Sequence, residues 1–588
     1  MENKYTFLSN FESRTDLKEF GDNSLLLYLF DLIYSIEDIS VFASEFLVDN
    51  PDDKKTDLVY IDKDEKKAII AQGYMSRSAK ESAPSNKACD LNSSVAWLLS
   101  MSLKELPTSI KSAATELRRA IQDNEINRIE LWYVHNCPES VNVVNELKTA
   151  ALTAKNALEV TYPKAKCDVI YLEWGLNTIE DRYQASTTAI LVNEKFVIYI
   201  PGGFEIEGND WSSYSTTIEA SWLSNLFVKY KTNLFSANIR DYLGSRKSDK
   251  NINNGIKETA GREPDRFWIY NNGVTAIVNN FQIDKEEERI KIEIDGIAIV
   301  NGAQTIGSLG SLTKIPESTA KVPVRFIKAN NKDLINNIIR YNNRQNKISP
   351  ADFRSIDNTQ KRLRDEFTKY SKKINYKGAR RGSSEDKISR DQNDLPYERA
   401  VQSLAAFHSY PGHAYNKKSQ ISESDELYSK FFNENTHAEH IVFVYSLFSE
   451  IAKTKLELMK KEKEELLTNS EKEKLDFLRN RGANWIFIAA LGNSLDVITD
   501  ARVPNKFLYR FKNKKEIVEG EEIWKPIIDI GMSFKEQLTD PLNETLSNEE
   551  NNQKSIKLFR SFMESVKKLN EQIYKTFSDE ITIENFKN

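Results

Sequence analysis

FWIYNNGVTAIV (267–278), IAIVNGAQTIGSL (297–309) and IIRYNNRQNKI (338–348) decide how this chain is read. Each sets an Asn/Gln-rich turn directly on an apolar run. Asn271-Asn272-Gly273 stands between two β-rich runs, FWIY and VTAIV, and Asn-Gly in that setting predicts a hairpin. RIKIEI (289–294), Asp295-Gly296 and IAIV (297–300) predict a second hairpin by the same rule. VNGAQT follows a strand and opens a helix, so Asn301, Gly302, Gln304 and Thr305 sit where unpaired N–H groups make an anion site. KVPVRFIKA (321–329) then reads as a strand and 333–346 as a helix with Leu334, Ile338 and Tyr341 on its apolar face. Arg340 and Asn343 fall on the polar face of that helix, with Gln345 at its exit.

Working outward, TTAILVNEKFVIYIPGG (187–203) reads as a strand pair turned at Asn193-Glu194, and 216–231 as an amphipathic helix. Arg240 follows it, always charged and able to hold phosphate through two hydrogen bonds. Downstream, Ser349-Pro350-Ala351-Asp352 has the residues of a helix start. Between Arg340 and Arg381 there are 13 Lys/Arg against four acids, although the whole chain carries −5. A basic block in an acidic chain predicts a directed polyanion surface that includes Arg380 and Arg381. Tyr341, Tyr370 and Tyr376 interleave with these cations, a pattern that single-strand stacking also uses.

The N-terminal third alternates helix and strand. Helical apolar spacing over 17–46 leads to DLVYID (57–62) and KKAIIAQGYMS (66–76), joined by Lys63-Asp64-Glu65 as a tight turn. Helices at 92–103 and 109–121, strand IELWYVHN (129–136), helix 140–158 and strand CDVIYLEW (167–174) complete an α/β layer with a mixed sheet. From Tyr397 the pattern is mostly helical, with a charged helix or helix pair at 450–479 and an apolar core helix within 479–495. The last amphipathic stretch, 555–577, packs on the body or on a second copy, so a homo-oligomer is one expectation.

A chain of 588 residues outgrows a single core. The pattern divides it into an α/β domain at 1–180, a central α+β domain at 181–382 and a helical domain at 383–588. With 40% hydrophobic and 29% charged residues it has an ordinary globular composition. Without a bilayer-length apolar run or a signal pattern, the expectation is a cytoplasmic protein with no membrane partner. Cys89, Cys137 and Cys167 form neither a CxxC pair nor a disulfide framework.

The order of these motifs resembles the AIPR family, the abortive-infection phage-resistance proteins of bacteria. LFSANIRDYLG (234–244) is similar to that family's F-x-x-N-[VI]-R-x-Y-L-G element, and NNRQNKISPADFRSID (342–357) and YKGARRG (376–382) follow in the expected order. The resemblance covers roughly 187–414 well and the flanks more loosely. The strand–NGAQT–helix layout is also similar to DGQHR-type proteins of the ParB-like class. VNGAQT lacks the Asp and the His-Arg of that string, and GxxxxGK[ST] is absent from the chain.

Many AIPR proteins carry an N-terminal restriction-endonuclease-like domain of PD-(D/E)XK type. The resemblance therefore implies Asp57 as the metal-holding carboxylate and Gln72 on the neighbouring strand, with Mg²⁺ as the cofactor. The family's Q-x-K lysine is missing, because Gln72 is followed by Gly73 and Tyr74. Lys87 is the expected replacement and Lys80 the second candidate, with Glu37 and Glu45 as further ligands. The implied function is anti-phage defence by binding nucleic acid, DNA or RNA, and cleaving it with metal help. The alternative is an inert nuclease-like fold that senses nucleic acid, nucleotide or a phage component.

Overall fold

A computed structural model describes residues 5–583 apart from 35, 37, 49–52, 188–189, 191, 231–233, 236–249, 286–289, 313, 315, 330–333, 336, 340–353, 355–356, 372 and 377–394. Arg240, Arg340, Asn343, Gln345, Arg380 and Arg381 lie outside the described residues, as do Glu37, Tyr341 and the helix start at 349–352.

The N-terminal sheet follows the sequence pattern closely. Helices α1 (Ser24–Tyr34) and α2 (Ile39–Phe46) precede β1 (Leu58–Asp62) and β2 (Lys67–Tyr74). They are followed by α3 (Ser85–Leu99), α4 (Thr108–Gln122), β3 (Arg128–His135), α5 (Val141–Thr161) and β4 (Asp168–Trp174). The strand order is β1-β2-β3-β4, with β1 antiparallel to β2 and the other neighbours parallel. The parallel strands are long apolar runs because both faces are covered. Ile70, Leu131 and Tyr133 pack toward α3, α4 and α5, whereas Ile69, Ala71, Trp132 and Trp174 pack toward α1 and α2.

The central sheet departs from the expected hairpins. It contains β5 (Val192–Ile200), β6 (Gly203–Glu207) and β7 (Trp211–Glu219), then α6 (Ala220–Tyr230) and the short helix α7 (Phe267–Tyr270). Next come β8 (Val274–Val278), β9 (Asn280–Lys285), β10 (Ile290–Asn301), α8 (Ala303–Gly310) and β11 (Lys321–Ala329). Asp295-Gly296 does not turn the chain. Gly296, at φ +65°, is a bulge inside the single strand β10, where the register with β5 shifts. Asn193-Glu194 is likewise inside β5, and FWIY is helical rather than extended. The start of the expected 216–231 helix is the end of β7.

The path β5-β10-β8-β11-β7-β6 puts β5 and β6 at opposite edges, yet only Pro201 and Gly202 separate them. A flat sheet would hold those edges roughly 24 Å apart at about 4.8 Å per strand. The chain from Ile200 to Gly203 reaches only about 11 Å. The sheet is therefore curled. Helices α6 and α8 cover one face, where Leu223, Phe227, Ile306 and Leu309 meet Ala276, Val322 and Phe326. Ile335, Ile338 and Ile339 pack on Ile277, Ala298 and Val300 of the other face.

The C-terminal region is helical, with α9 (Asn358–Tyr370), α10 (Tyr397–Phe407), α11 (Ala438–Lys463), α12 (Ala483–Ile498) and α13 (Ile517–Met532) sharing one core. α12 is buried almost all round, as its apolar sequence requires. Among the described residues, no helix is long and apolar enough to cross a membrane. The architecture is thus multidomain α/β plus α, with several sheets followed by helices.

Candidate functional site

Asp57 and Gln72 meet where β1 begins and β2 ends. The Gln72 Nε2 donates to Asp57 Oδ2 at 2.8 Å, and the Gly73 N–H donates to the same oxygen at 2.6 Å. A side chain at position 73 would crowd Asn23 Oδ1, at 3.1 Å from an ideal Cβ, so glycine lets β2 pass close to the carboxylate. Gln72 is buried, and its Oε1 has no hydrogen-bond partner. An acceptor oxygen in that state is a cost that a cation or a water would relieve.

The two replacement lysines are placed differently. Lys87, on α3, faces Asp90 at 3.8 Å. Lys80 donates to the hydroxyl of Tyr74 at 2.7 Å, and that hydrogen bond raises its pKa above the ordinary lysine value. Tyr74 is two residues beyond Gln72 on the same strand, hence on the same face. A cation therefore stands at the tip of the side chain that occupies the Q-x-K lysine position. Glu45 is drawn away to Arg399 of the C-terminal helices, at 3.3 Å.

The same corner holds groups that the sequence did not flag. Gln72, Tyr133 and Glu173 form one row across β2, β3 and β4. Glu173 Oε1 pairs with the buried His135 Nε2 at 3.1 Å, while Glu173 Oε2 is buried without a hydrogen-bond partner. His135 Nδ1 lies 3.1 Å from the Cys137 carbonyl. Neighbouring Glu139 accepts from the Thr178 N–H and from Asn177, contacts that offset its desolvation and hold its pKa below the ordinary value. The signal for these residues is that His135 and Glu173 lie at the carboxyl ends of parallel strands, where open α/β sheets bind ligands. Among the described residues, no group of three or more His, Cys, Asp or Glu is disposed to hold a metal ion.

In the central sheet two of the three Asn-rich turns converge. Asn271 Nδ2 donates to Thr305 Oγ1 at 3.1 Å, and Asn271 Oδ1 accepts from the Gly273 N–H at 2.9 Å. Gly302, left-handed at φ +95°, is packed so tightly that a Cβ there would lie 2.9 Å from the Gly273 carbonyl oxygen. Asn272 is exposed beside this junction, and Asn301 and Gln304 flank it half-buried. The third turn, at 342–345, falls outside the described residues.

Described members of the basic block are partly structural. Arg354 pairs with Asp425 at 2.6 Å and lies over the Tyr428 ring, and Arg362 donates to the carbonyls of Asn433 and Thr436. Tyr376 is buried against Phe367, and its hydroxyl donates to Gln360. The Tyr370 hydroxyl donates to the Lys515 carbonyl. These two tyrosines serve the core rather than a stacking surface.

Comparison with curated proteins and with solved structures gives no match. A family model described as AIPR protein matches residues 235–569. The match takes in the paired glycine turns and most of the C-terminal helices, and it leaves the Asp57–Gln72 corner outside. Covering more than half of the 588 residues, it shows that the chain belongs to the AIPR family of abortive-infection phage-resistance proteins.

Proposed function

We propose that this protein serves anti-phage defence by binding nucleic acid and hydrolysing its phosphodiester backbone at the Asp57–Gln72 corner. The observation that carries the reading is the direct Asp57–Gln72 contact, and Lys80 reaches the hydroxyl of Tyr74, two residues beyond Gln72 on the same strand. Asp57 and Gln72 Oε1 would hold a Mg²⁺ ion, and the donor set suits it, since Mg²⁺ takes one or two protein oxygens and keeps several waters. In the present arrangement Gln72 offers nitrogen, not oxygen, to the carboxylate. Turning the amide by half a rotation brings Oε1 to the Asp57 side. Bound there, the ion would supply Lewis-acid activation of water and phosphate. Lys80 would neutralise charge developing on the phosphate.

A second reading takes the corner as inert and the protein as a nucleic-acid, nucleotide or phage-component sensor. The hydrogen bonds on Asp57 favour it, because a carboxylate oxygen already accepting two N–H groups is a settled structural element. Incubation of the full chain with single-stranded and duplex DNA and RNA under Mg²⁺ or Mn²⁺, beside Asp57→Ala, separates the two. Cleavage lost in the variant supports hydrolysis; equal cleavage, or none by either protein, leaves the sensor.

A further inference from the structure

The curled central sheet carries a second surface, on the face away from α6 and α8. Asn301, Thr275, Arg325, Ser215 and Phe204 form one transverse row across β10, β8, β11, β7 and β6. Directly paired residues project to the same side of a sheet. Thr217 and Pro323 form the next row, about 7 Å away, and the Trp268 indole N–H donates to Thr217 Oγ1 at 3.1 Å. Ile206, Ser213 and Ile327 form the row on the other side.

This surface is unusual in composition. Phe204 is 60% exposed, Trp268 46% and Ile206 52%. Large apolar side chains are exposed, but hydroxyls and an exposed guanidinium separate them. Arg325 donates to Thr275 Oγ1 at 3.3 Å in the middle of the row. The acids of β6 are kept off it, since Glu205 and Glu207 alternate to the opposite side. Ser213 Oγ, in the neighbouring row, is buried with no hydrogen-bond partner.

The far end of the same face is where Ile338 and Ile339 pack on Ile277, Ala298 and Val300. Aromatic rings between hydroxyls and a central arginine match what an unpaired nucleotide strand needs: ring faces for bases and a cation for phosphate. A duplex hides its base faces and has no use for them.

We propose that this face binds single-stranded nucleic acid, with bases stacking on Phe204 and Trp268 and a backbone phosphate paired with Arg325. The assignment rests on the nucleic-acid reading above and names the form of the polymer. The hydrogen bond to Thr217 sets the indole in place before binding, so little ordering is paid for on contact.

The test uses the full chain carrying Asp57→Ala, to prevent cleavage, with labelled oligo-dT, oligo-U and a duplex of equal length, measured by fluorescence anisotropy at several salt concentrations. Single strands are expected to bind at least about tenfold more tightly than duplex. Phe204→Ala and Trp268→Ala are each expected to weaken single-strand binding about tenfold, and Trp268→Phe to recover most of the loss. Arg325→Gln is expected to reduce the slope of log affinity against log salt by about 0.7. Both rings are exposed, so truncation leaves the fold intact, which circular dichroism checks. Leu569→Ala, at a more exposed apolar position in the turn before the last helix, is the unaffected control. Absence of binding by the parent protein overturns the nucleic-acid reading itself. Parent binding that the ring and arginine variants retain, or equal affinity for duplex, overturns this proposal alone and directs the surface to a protein partner.

Discussion

Arg481 and Glu116, 365 positions apart in the chain, meet as a buried ion pair at 2.7 Å. Their side chains are only 7% and 8% exposed. The same guanidinium donates to the Val59 carbonyl in β1, and the Arg481 N–H donates to Ser112 Oγ at 2.8 Å. Arg399 holds Glu45 nearby, and burial pushes the Lys455 ammonium down to about 8 despite the attraction of Glu45. The C-terminal helices are thereby fastened to the strand that starts beside Asp57.

Removing one partner of such a pair leaves the other charge buried without compensation. Glu116→Ala is expected to lower the unfolding free energy by about 3–5 kcal/mol, read from urea denaturation. A loss under about 1 kcal/mol would show that the pair is solvated and that the joint is not what holds the two regions together.

A buried histidine pair predicts the acid response. His440 Nδ1 donates to the Tyr509 carbonyl at 2.9 Å, so its Nε2 accepts from His408 Nε2, 3.1 Å away. Protonating His440 sets N–H against N–H. Burial holds His440 down at about 4, and burial with His440 and Lys506 nearby holds His408 well below its ordinary value. The unfolded chain takes up these protons first, near pH 6.5, so stability is complete above that pH and falls as pH drops toward about 4. For His440 alone the loss is on the order of 3 kcal/mol. Denaturation midpoints at pH 7 and pH 5 check it, and identical values contradict the buried neutral pair.

The paired glycine turns predict a local cost. Gly302→Ala places a methyl group 2.8 Å from Val274 Cγ2, at a φ of +95° that L-residues rarely adopt. A loss of about 1–3 kcal/mol is expected from thermal or urea unfolding. A neutral substitution would mean that the two turns do not lock together as described.

The N-terminal sheet was legible almost residue by residue, because its signals are local. Lys63-Asp64-Glu65 turns β1 into β2, and the apolar runs of β2, β3 and β4 are bounded by polar residues. The central sheet was not. Asp295-Gly296 offers a left-handed position, and a hairpin and a bulge both need one; only the partner strand β5 decides between them. FWIY has strand-like composition, yet Trp268, Ile269 and Tyr270 are exposed on a helical turn. Of the site, the Asp57–Gln72 contact was readable from strand order. Where Lys80 and Lys87 come to lie was not, since it depends on how the chain between Tyr74 and α3 returns over the end of β2. The open face containing Arg325 needed the register of five strands, which no local window holds.

The proposed cleavage site assigns Lys80, rather than Lys87, to work with Asp57 and Gln72. The most direct measurement is the rate of nucleic-acid cleavage under Mg²⁺ for Lys80→Ala and Lys87→Ala side by side with the parent protein. The account predicts that Lys80→Ala slows cleavage by about 10²–10³-fold, while Lys87→Ala stays within about twofold of the parent. Full activity in Lys80→Ala, or loss confined to Lys87→Ala, would contradict it.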